Sequence, residues 1–294
     1  MKGFQESPPP EVWLNGRFLP VDKAAVSPLD RGFLYGDGIF ETMRVEGGTV
    51  LYLEEHLDRA SRSLALLRIN AELPTDSGEI IRELIHRNGL AGTAAAAKIV
   101  ITRGVAPGLG LPAASAPTLW MTAHPYAPPA PSVYQNGWHL EFFREGFSPP
   151  LAAHKTLNYL YFLVARQAAL DAGGDEAIIL DHQGRITETS AGSIMARSSN
   201  TWWTPTSPHQ LTGITIRQVT KILHRAGQEV EPRRAFPRDL LSADTIWIVN
   251  SLMGVMPVSR LQDHPIPHVA SEEAARLRNY LFEQGRLPST DRSF

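Results

Sequence analysis

The sequence contains no cysteine. Disulfides, thiolate metal centres and a cysteine nucleophile are thereby excluded. Lysine is nearly as scarce: Lys and Arg together number 28, yet lysine stands only at Lys2, Lys23, Lys98, Lys155 and Lys221. Chemistry that needs a primary amine has few places to happen. The formal net charge of −2 argues against a chain built to bind nucleic acid or an anionic membrane. No apolar run is long enough to span a bilayer, and the polar, proline-rich start from Met1 to Pro10 lacks a basic-then-apolar signal pattern. The expectation is a soluble, cytoplasmic globular protein with no nucleic-acid or membrane partner. Its 294 residues suffice for one large or two medium domains.

What is present reads as alternating strands and helices. Asn15-Gly16 between two short apolar runs is a hairpin signal. The glycine-rich stretch Asp30 to Gly38 predicts a tight backbone turn, followed by a strand from Ile39 to Val45. Helical spacing begins at Glu54, with Leu57, Ala60, Leu64 and Leu67 on one face, and a second helix covers Ser77 to Arg87. Ala95 to Thr102 and Thr118 to Thr122 read as strands. The proline cluster from Pro125 to Pro131 predicts a semi-rigid extended linker, with domains at 1–124 and 136–294 and the linker at 125–135. Beyond it come a strand at Trp138 to Arg144 and a helix after Lys155 that places Leu157, Leu160, Tyr161, Val164 and Ala168 at helical spacing. Strands follow at Glu176 to Asp181, Ser193 to Ala196, Thr201 to Thr204 and Thr245 to Val249, with helices at Ile214 to Arg225 and Glu272 to Glu283. The fold class is α/β, of the α+β two-domain kind.

Among the lysines, Lys2 falls in a tail, Lys23 in a polar loop, Lys221 on an amphipathic helix and Lys98 in an alternating strand. Lys155 stands between a proline-rich, small-residue approach and a helical run. An amine held near a pocket loses its proton readily and forms a Schiff base with a carbonyl. The plain alternative is a solvated lysine at a helix start. Three later segments bear on this. Leu211-Thr212-Gly213-Ile214-Thr215 opens a helix with free amides and a hydroxyl, which suits a phosphate as well as simple capping. Asn250-Ser251-Leu252 follows a buried strand and offers a second set of amides and a hydroxyl, or merely a turn. Glu188 lies among small residues that let a flat ligand approach, or is simply solvated.

Together these parts match what pyridoxal phosphate needs: a lysine for its aldehyde, amides and hydroxyls for its phosphate, and a carboxylate for its ring nitrogen. The runs Asp30 to Val45, Glu55-His56-Leu57-Asp58-Arg59, Lys155-Thr156-Leu157-Asn158-Tyr159, Thr187-Glu188, Leu211 to Thr215 and Asn250 to Val258 carry a resemblance. In order and spacing they resemble the fold-type IV, or class IV aminotransferase, group of pyridoxal-phosphate enzymes, from about Val12 to Val258. The resemblance implies a small N-terminal α/β domain, a larger C-terminal α/β domain and the cofactor between them. It also implies that Lys155 carries the cofactor, that Glu188 meets the ring nitrogen, and that Tyr159 lies beside it. Arg59, Ile214, Thr215 and Ser251 would hold the phosphate, with Leu211, Gly213 and Asn250 completing the cofactor shell. A homodimer, each small domain completing its neighbour's site, is implied as well.

Within the family, Asn250-Ser251-Leu252-Met253 and Lys155 to Leu160 are similar to the aminodeoxychorismate lyases, which release pyruvate to leave 4-aminobenzoate for folate synthesis. Gly108 departs from the D-amino acid transaminases and many lyases, which carry an arginine there for the substrate carboxylate. Arg103 and Arg44 are candidates to replace it, and Tyr35, Phe40 and Leu252 complete the expected substrate-binding set for a small amino substrate. The expectation is therefore a lyase, with a branched-chain or D-amino acid transaminase as the alternative. A silent pyridoxal-phosphate-binding protein is the third reading. No metal is expected.

Overall fold

A computed structural model of the chain describes residues 9–113, 116–267, 269–288, 290 and 292. The expected tail lies outside them up to residue 8, and Lys2 with it. Contacts divide the chain into two units, Met1–Ala127 and Pro128–Phe294.

The first unit is a six-stranded antiparallel sheet. Its elements are β1 (Glu11–Leu14), β2 (Arg17–Pro20), α1 (Arg31–Tyr35), β3 (Gly38–Glu46), β4 (Thr49–Val50), α2 (Leu53–Leu66), α3 (Ser77–Arg87), β5 (Ala95–Thr102) and β6 (Thr118–Pro125). The strand order is β2-β1-β6-β5-β3-β4. Asn15 and Gly16, both at positive φ, join β1 to β2 in the tight hairpin their sequence predicts. Alternation on β3, β5 and β6 turns Ile39, Met43, Val45, Ile99, Ile101 and Met121 toward α2 and α3 to form the core. The opposite face carries Phe40, Thr42, Arg44, Lys98, Val100, Trp120 and Thr122. Within the stretch read as a turn, Arg31–Tyr35 is a helix, because the Asp30 side chain accepts the Gly32 N–H at 2.7 Å and caps it.

The second unit follows with α4 (Pro131–Asn136), β7 (Trp138–Phe143), α5 (Leu160–Asp171), β8 (Glu176–Leu180), β9 (Ile186–Thr189), β10 (Ser193–Ser198) and β11 (Thr201–Pro205). It continues with α6 (Ile214–Arg225), β12 (Val230–Arg233), α7 (Pro237–Leu241), β13 (Thr245–Asn250), β14 (Gly254–Leu261), β15 (His264–Pro265) and α8 (Ser271–Gly285). Its nine-stranded sheet runs β12-β11-β10-β13-β14-β7-β8-β9, with β15 beside β14. The β14/β7, β7/β8 and β11/β12 pairs are parallel. β8 and most of β13 are buried along their length, as their unbroken apolar runs require. Trp202 and Trp247 are buried side by side with their rings tilted, 4.1 Å between centroids.

Two expectations need correction. The proline-rich stretch is extended over less than 125–135: Pro125 still belongs to β6, and Pro131 opens α4, where its missing N–H costs nothing. The helix after Lys155 begins only at Leu160, so Lys155 and Leu157 lie on irregular chain before it. Of its predicted apolar stripe Tyr161 packs toward the sheet, but the side fully buried there is another. Ala165 and Ala169, one turn apart, pack on Phe143, Ala177 and Ile179, because small side chains allow the helix close to the sheet. Leu160, Leu163 and Val164 are exposed. Among the described residues, no helix is long and apolar enough to cross a membrane.

Candidate active site

In the second unit, the ends of several strands bring most of the predicted residues into one connected group. Lys155 leaves the irregular segment after β7 with its Nζ 5.6 Å from the centroid of the Tyr159 ring. The Tyr159 ring stacks on Phe162, and its hydroxyl donates to the Ser190 carbonyl at 2.5 Å. Burial first, and then the Glu188 and Glu176 carboxylates, push the Tyr159 phenol well above its ordinary value. It stays a neutral hydrogen-bonding group at physiological pH. Glu188, near the end of β9, is buried, and its Oε1 accepts the Leu211 N–H at 3.1 Å.

Leu211 leads directly to the start of α6. Gly213 occupies the position before Ile214, and no side chain caps the helix there. A Cβ on Gly213 would lie 2.6 Å from the Ser193 Oγ, so only glycine lets this turn sit so close to β10. The first amides of α6 and the positive end of its dipole are thus presented beside the Thr215 hydroxyl. Thr215 Oγ1 lies 3.3 Å from Ser251 Oγ, which arrives from the end of β13. Two hydroxyls and a helix N-terminus form an anion cup. The Asn250 side chain closes the turn after β13. It donates to the Ala191 carbonyl at 3.1 Å and accepts the Leu252 and Met253 N–H groups at 3.1 and 2.9 Å. It builds the turn that presents Ser251, since an Asn side chain mimics backbone at such a corner.

Arg59 belongs to the first unit, on α2. Its Nε and Nη2 donate to the two oxygens of Glu41 at 2.8 and 2.6 Å, and His56 Nδ1 lies 2.7 Å from the same carboxylate. Burial alone would raise the Glu41 carboxyl, but the hydrogen bonds and charges of Arg59 and His56 outweigh it and hold it down at about 2. The predicted phosphate ligand is thus also a structural ion pair beneath the sheet.

The two arginines proposed for a substrate carboxylate are both engaged elsewhere. Arg103 is fully buried, and its donors reach both oxygens of Asp37 at 2.8 and 3.0 Å and the carbonyls of Leu67, Arg68 and Pro112 at 2.7 to 3.0 Å. A guanidinium inside a protein needs all its donors satisfied, and here the backbone does it. Arg31 shares the Asp37 carboxylate and holds the Gly108 and Gly110 carbonyls at 2.8 and 2.9 Å. Arg44 is buried against Glu46 and lies over the Tyr126 ring. Tyr35 is exposed at the end of α1 beneath the Arg31 guanidinium, Phe40 is nearly buried, and Leu252 lies in the Asn250 turn.

Lys98 is the cation that sequence reasoning set aside. The register places it between Thr42 and Thr122, on the same face as Phe40, and its Nζ lies 4.8 Å from the Phe40 ring centroid. Burial lowers its pKa, and among the described residues no carboxylate pairs with it. On the neighbouring strand, the Trp120 indole N–H is buried without an acceptor. A cation and an indole N–H thus share this face of the sheet with two hydroxyls and an aromatic ring. The available signal was the period-2 alternation of β3 and β5, which puts Phe40, Thr42 and Lys98 on one face.

Known proteins share this arrangement of elements. A T.th. branched-chain amino acid aminotransferase solved with pyridoxamine 5'-phosphate superposes with a TM-score of 0.86 at 26% identity, covering 95% of each chain. The putative branched-chain-amino-acid aminotransferase of Methanocaldococcus jannaschii is 32% identical over 87% of this chain and 89% of its own. The aminodeoxychorismate lyase of Bacillus subtilis is 28% identical over 86% of this chain and 87% of its own. The family described as amino-transferase class IV matches residues 38–261, which take in β3, the Lys155 segment, Glu188, the α6 cup and the Ser251 turn. Over most of its length, then, this chain belongs to the class IV aminotransferase family.

Proposed function

We propose that the chain is a pyridoxal-phosphate-dependent lyase acting on 4-amino-4-deoxychorismate. The residues of the second unit fit the cofactor by their chemistry. The α6 amides with the Thr215 and Ser251 hydroxyls suit its phosphate, Glu188 its protonated ring nitrogen, Tyr159 its hydroxyl edge and Lys155 its aldehyde. When bound, pyridoxal phosphate withdraws electrons from the substrate carbon that bears the amine and makes its proton acidic. Lys155, displaced by the substrate amine, is the base that takes that proton. Departure of the enolpyruvyl group then leaves an aromatic ring, and the Lys155 ammonium is the nearest source of a proton for the enolpyruvate on its way to pyruvate.

What favours the lyase is the Asn250-Ser251-Leu252-Met253 run, which is similar to the lyases and forms the turn that the Asn250 side chain closes next to the Thr215 and Ser251 hydroxyls. The test is to mix enzyme and each substrate separately, following aminobenzoate fluorescence and conversion of the cofactor to its amine form. Aminobenzoate should form at least about a hundredfold faster than any amino-acid half-reaction, a barrier difference of roughly 2.7 kcal/mol. Rapid conversion by D-alanine, L-glutamate or a branched-chain amino acid, with no aminobenzoate, would sink the lyase and leave a transaminase.

We also propose a homodimer. Phe33, Leu34 and Tyr35 on α1 and Leu160, Leu163 and Val164 on α5 are apolar or aromatic and exposed in the single chain. Burying such patches is the usual reason for their existence. Sedimentation at micromolar concentration should return twice the chain mass.

A further inference from the structure

Strand β8 opens on Glu176, whose carboxylate is only 1% exposed. Its Oε1 accepts the Ala177 N–H at 2.8 Å, the Ser190 N–H at 3.2 Å and the Ser190 hydroxyl in a short bond. Its Oε2 accepts Arg166 Nη1 from α5 at 3.1 Å. Every one of these partners is a donor, so the site is built for an ionised carboxylate. Burial raises its pKa, against the Ser190 hydrogen bond and the Arg166 charge.

What it holds is the far side of the proposed cofactor shell. Ser190 lies two residues after Glu188, and its carbonyl is the acceptor for the Tyr159 hydroxyl at 2.5 Å. One carboxylate therefore holds, through N–H and hydroxyl, the residue whose carbonyl receives the Tyr159 hydroxyl, the N–H being shared with the Ala177 carbonyl at 3.2 Å. We propose that Glu176 is a positioning residue, acting through Ser190 to set the direction of the Tyr159 hydroxyl and thereby the proton affinity of the Lys155–cofactor linkage. This rests on the cofactor placement proposed above but not on the identity of the substrate.

Glutamine at 176 keeps the shape but brings two N–H groups, which must oppose either Arg166 or the Ser190 and Ala177 donors. The Ser190 carbonyl then turns and Tyr159 loses its anchor. The experiment is a spectrophotometric pH titration of the cofactor's visible band in the holoenzymes of wild type, Glu176→Gln, Tyr159→Phe and the double variant. Glu176→Gln should move the midpoint down by at least about half a pH unit, because the Tyr159 orientation that stabilises a protonated linkage is lost. It should also lower kcat roughly tenfold with KM unchanged, the mark of an interaction spent on the chemical step. In the Tyr159→Phe background the same substitution should move the midpoint hardly at all.

An equal shift in both backgrounds would overturn the proposal, since Glu176 would then act without Tyr159. An unchanged midpoint in folded Glu176→Gln would overturn it too. If Glu176→Gln does not fold, Ser190→Ala removes only the hydroxyl bond. A midpoint shift in the same direction that vanishes in the Tyr159→Phe background supports the proposal, and no shift overturns it. A wild-type protein that takes up no pyridoxal phosphate would instead defeat the cofactor assignment itself, an outcome plainly distinct from these.

Discussion

Replacing Lys98 with methionine keeps the length of the side chain and deletes its charge, and the consequence is read in stability. Burial lowers the Lys98 pKa from its ordinary 10.5, so the protonated amine is less favourable in the folded chain than in the unfolded one. That cost is fully present below the depressed folded value and is relieved as pH rises from there to 10.5, because in that window the unfolded chain binds the proton and the folded one does not. Lys98→Met should accordingly melt at a higher temperature than wild type at pH 7, with the difference narrowing in alkali. Calorimetry of both proteins from pH 7 into alkali measures the effect. A lowered melting temperature at pH 7 would refute the reasoning, since the protonated amine would then stabilise the fold.

The other predictions concern the remaining charged groups. Borohydride treatment of the yellow protein should fix the cofactor on the Lys155 peptide; finding it on Lys98 or Lys221 would displace the assignment. Glu188→Ala should still bind cofactor and lose most turnover, whereas Thr215→Ala and Ser251→Ala should each weaken cofactor affinity by about 1 kcal/mol or more, read by equilibrium dialysis. Arg103→Met should destabilise the first unit by about 3–5 kcal/mol in urea titration, because Asp37 loses a buried partner, and should leave the substrate KM of the folded fraction where it was. Glu41, held down at about 2 against an ordinary 4.5, contributes stability that is fully present above 4.5 and is lost as pH falls toward 2. Urea titrations across that window should show Glu41→Gln to be weaker at neutral pH and less sensitive to acid.

Much of this was legible in the residue order. Helices α3 and α6 and the β1–β2 hairpin follow from local signals, namely caps, period and an Asn-Gly turn, and they stand where those signals put them. Lys155 was singled out by scarcity. What was not legible depends on parts of the chain that meet only after folding. Nothing near Arg103 announces that the carbonyls of Leu67, Arg68 and Pro112 will surround it. Helical spacing on α5 shows an apolar stripe but cannot say that the alanines, not the leucines, will face the sheet. Alternation on β5 told which side Lys98 is on and was silent about what that side is for.

The loop after β5 is gripped by guanidinium groups through the carbonyls of Gly108, Gly110 and Pro112. A carbonyl is the one group every amino acid supplies. The loop's shape is therefore largely independent of what its side chains are, and Val105, Leu109 and Leu111, all exposed, are at liberty to vary. Among its described residues Gly104, Gly108 and Gly110, all at positive φ, are tied to their identity by the backbone. Such a segment is a natural place for mutational drift to try new ligands without risking the fold. A library randomised at Val105, Ala106, Leu109 and Leu111, with Asp37, Arg31 and Arg103 left alone, should yield mostly folded proteins, and one randomised at Asp37 should not.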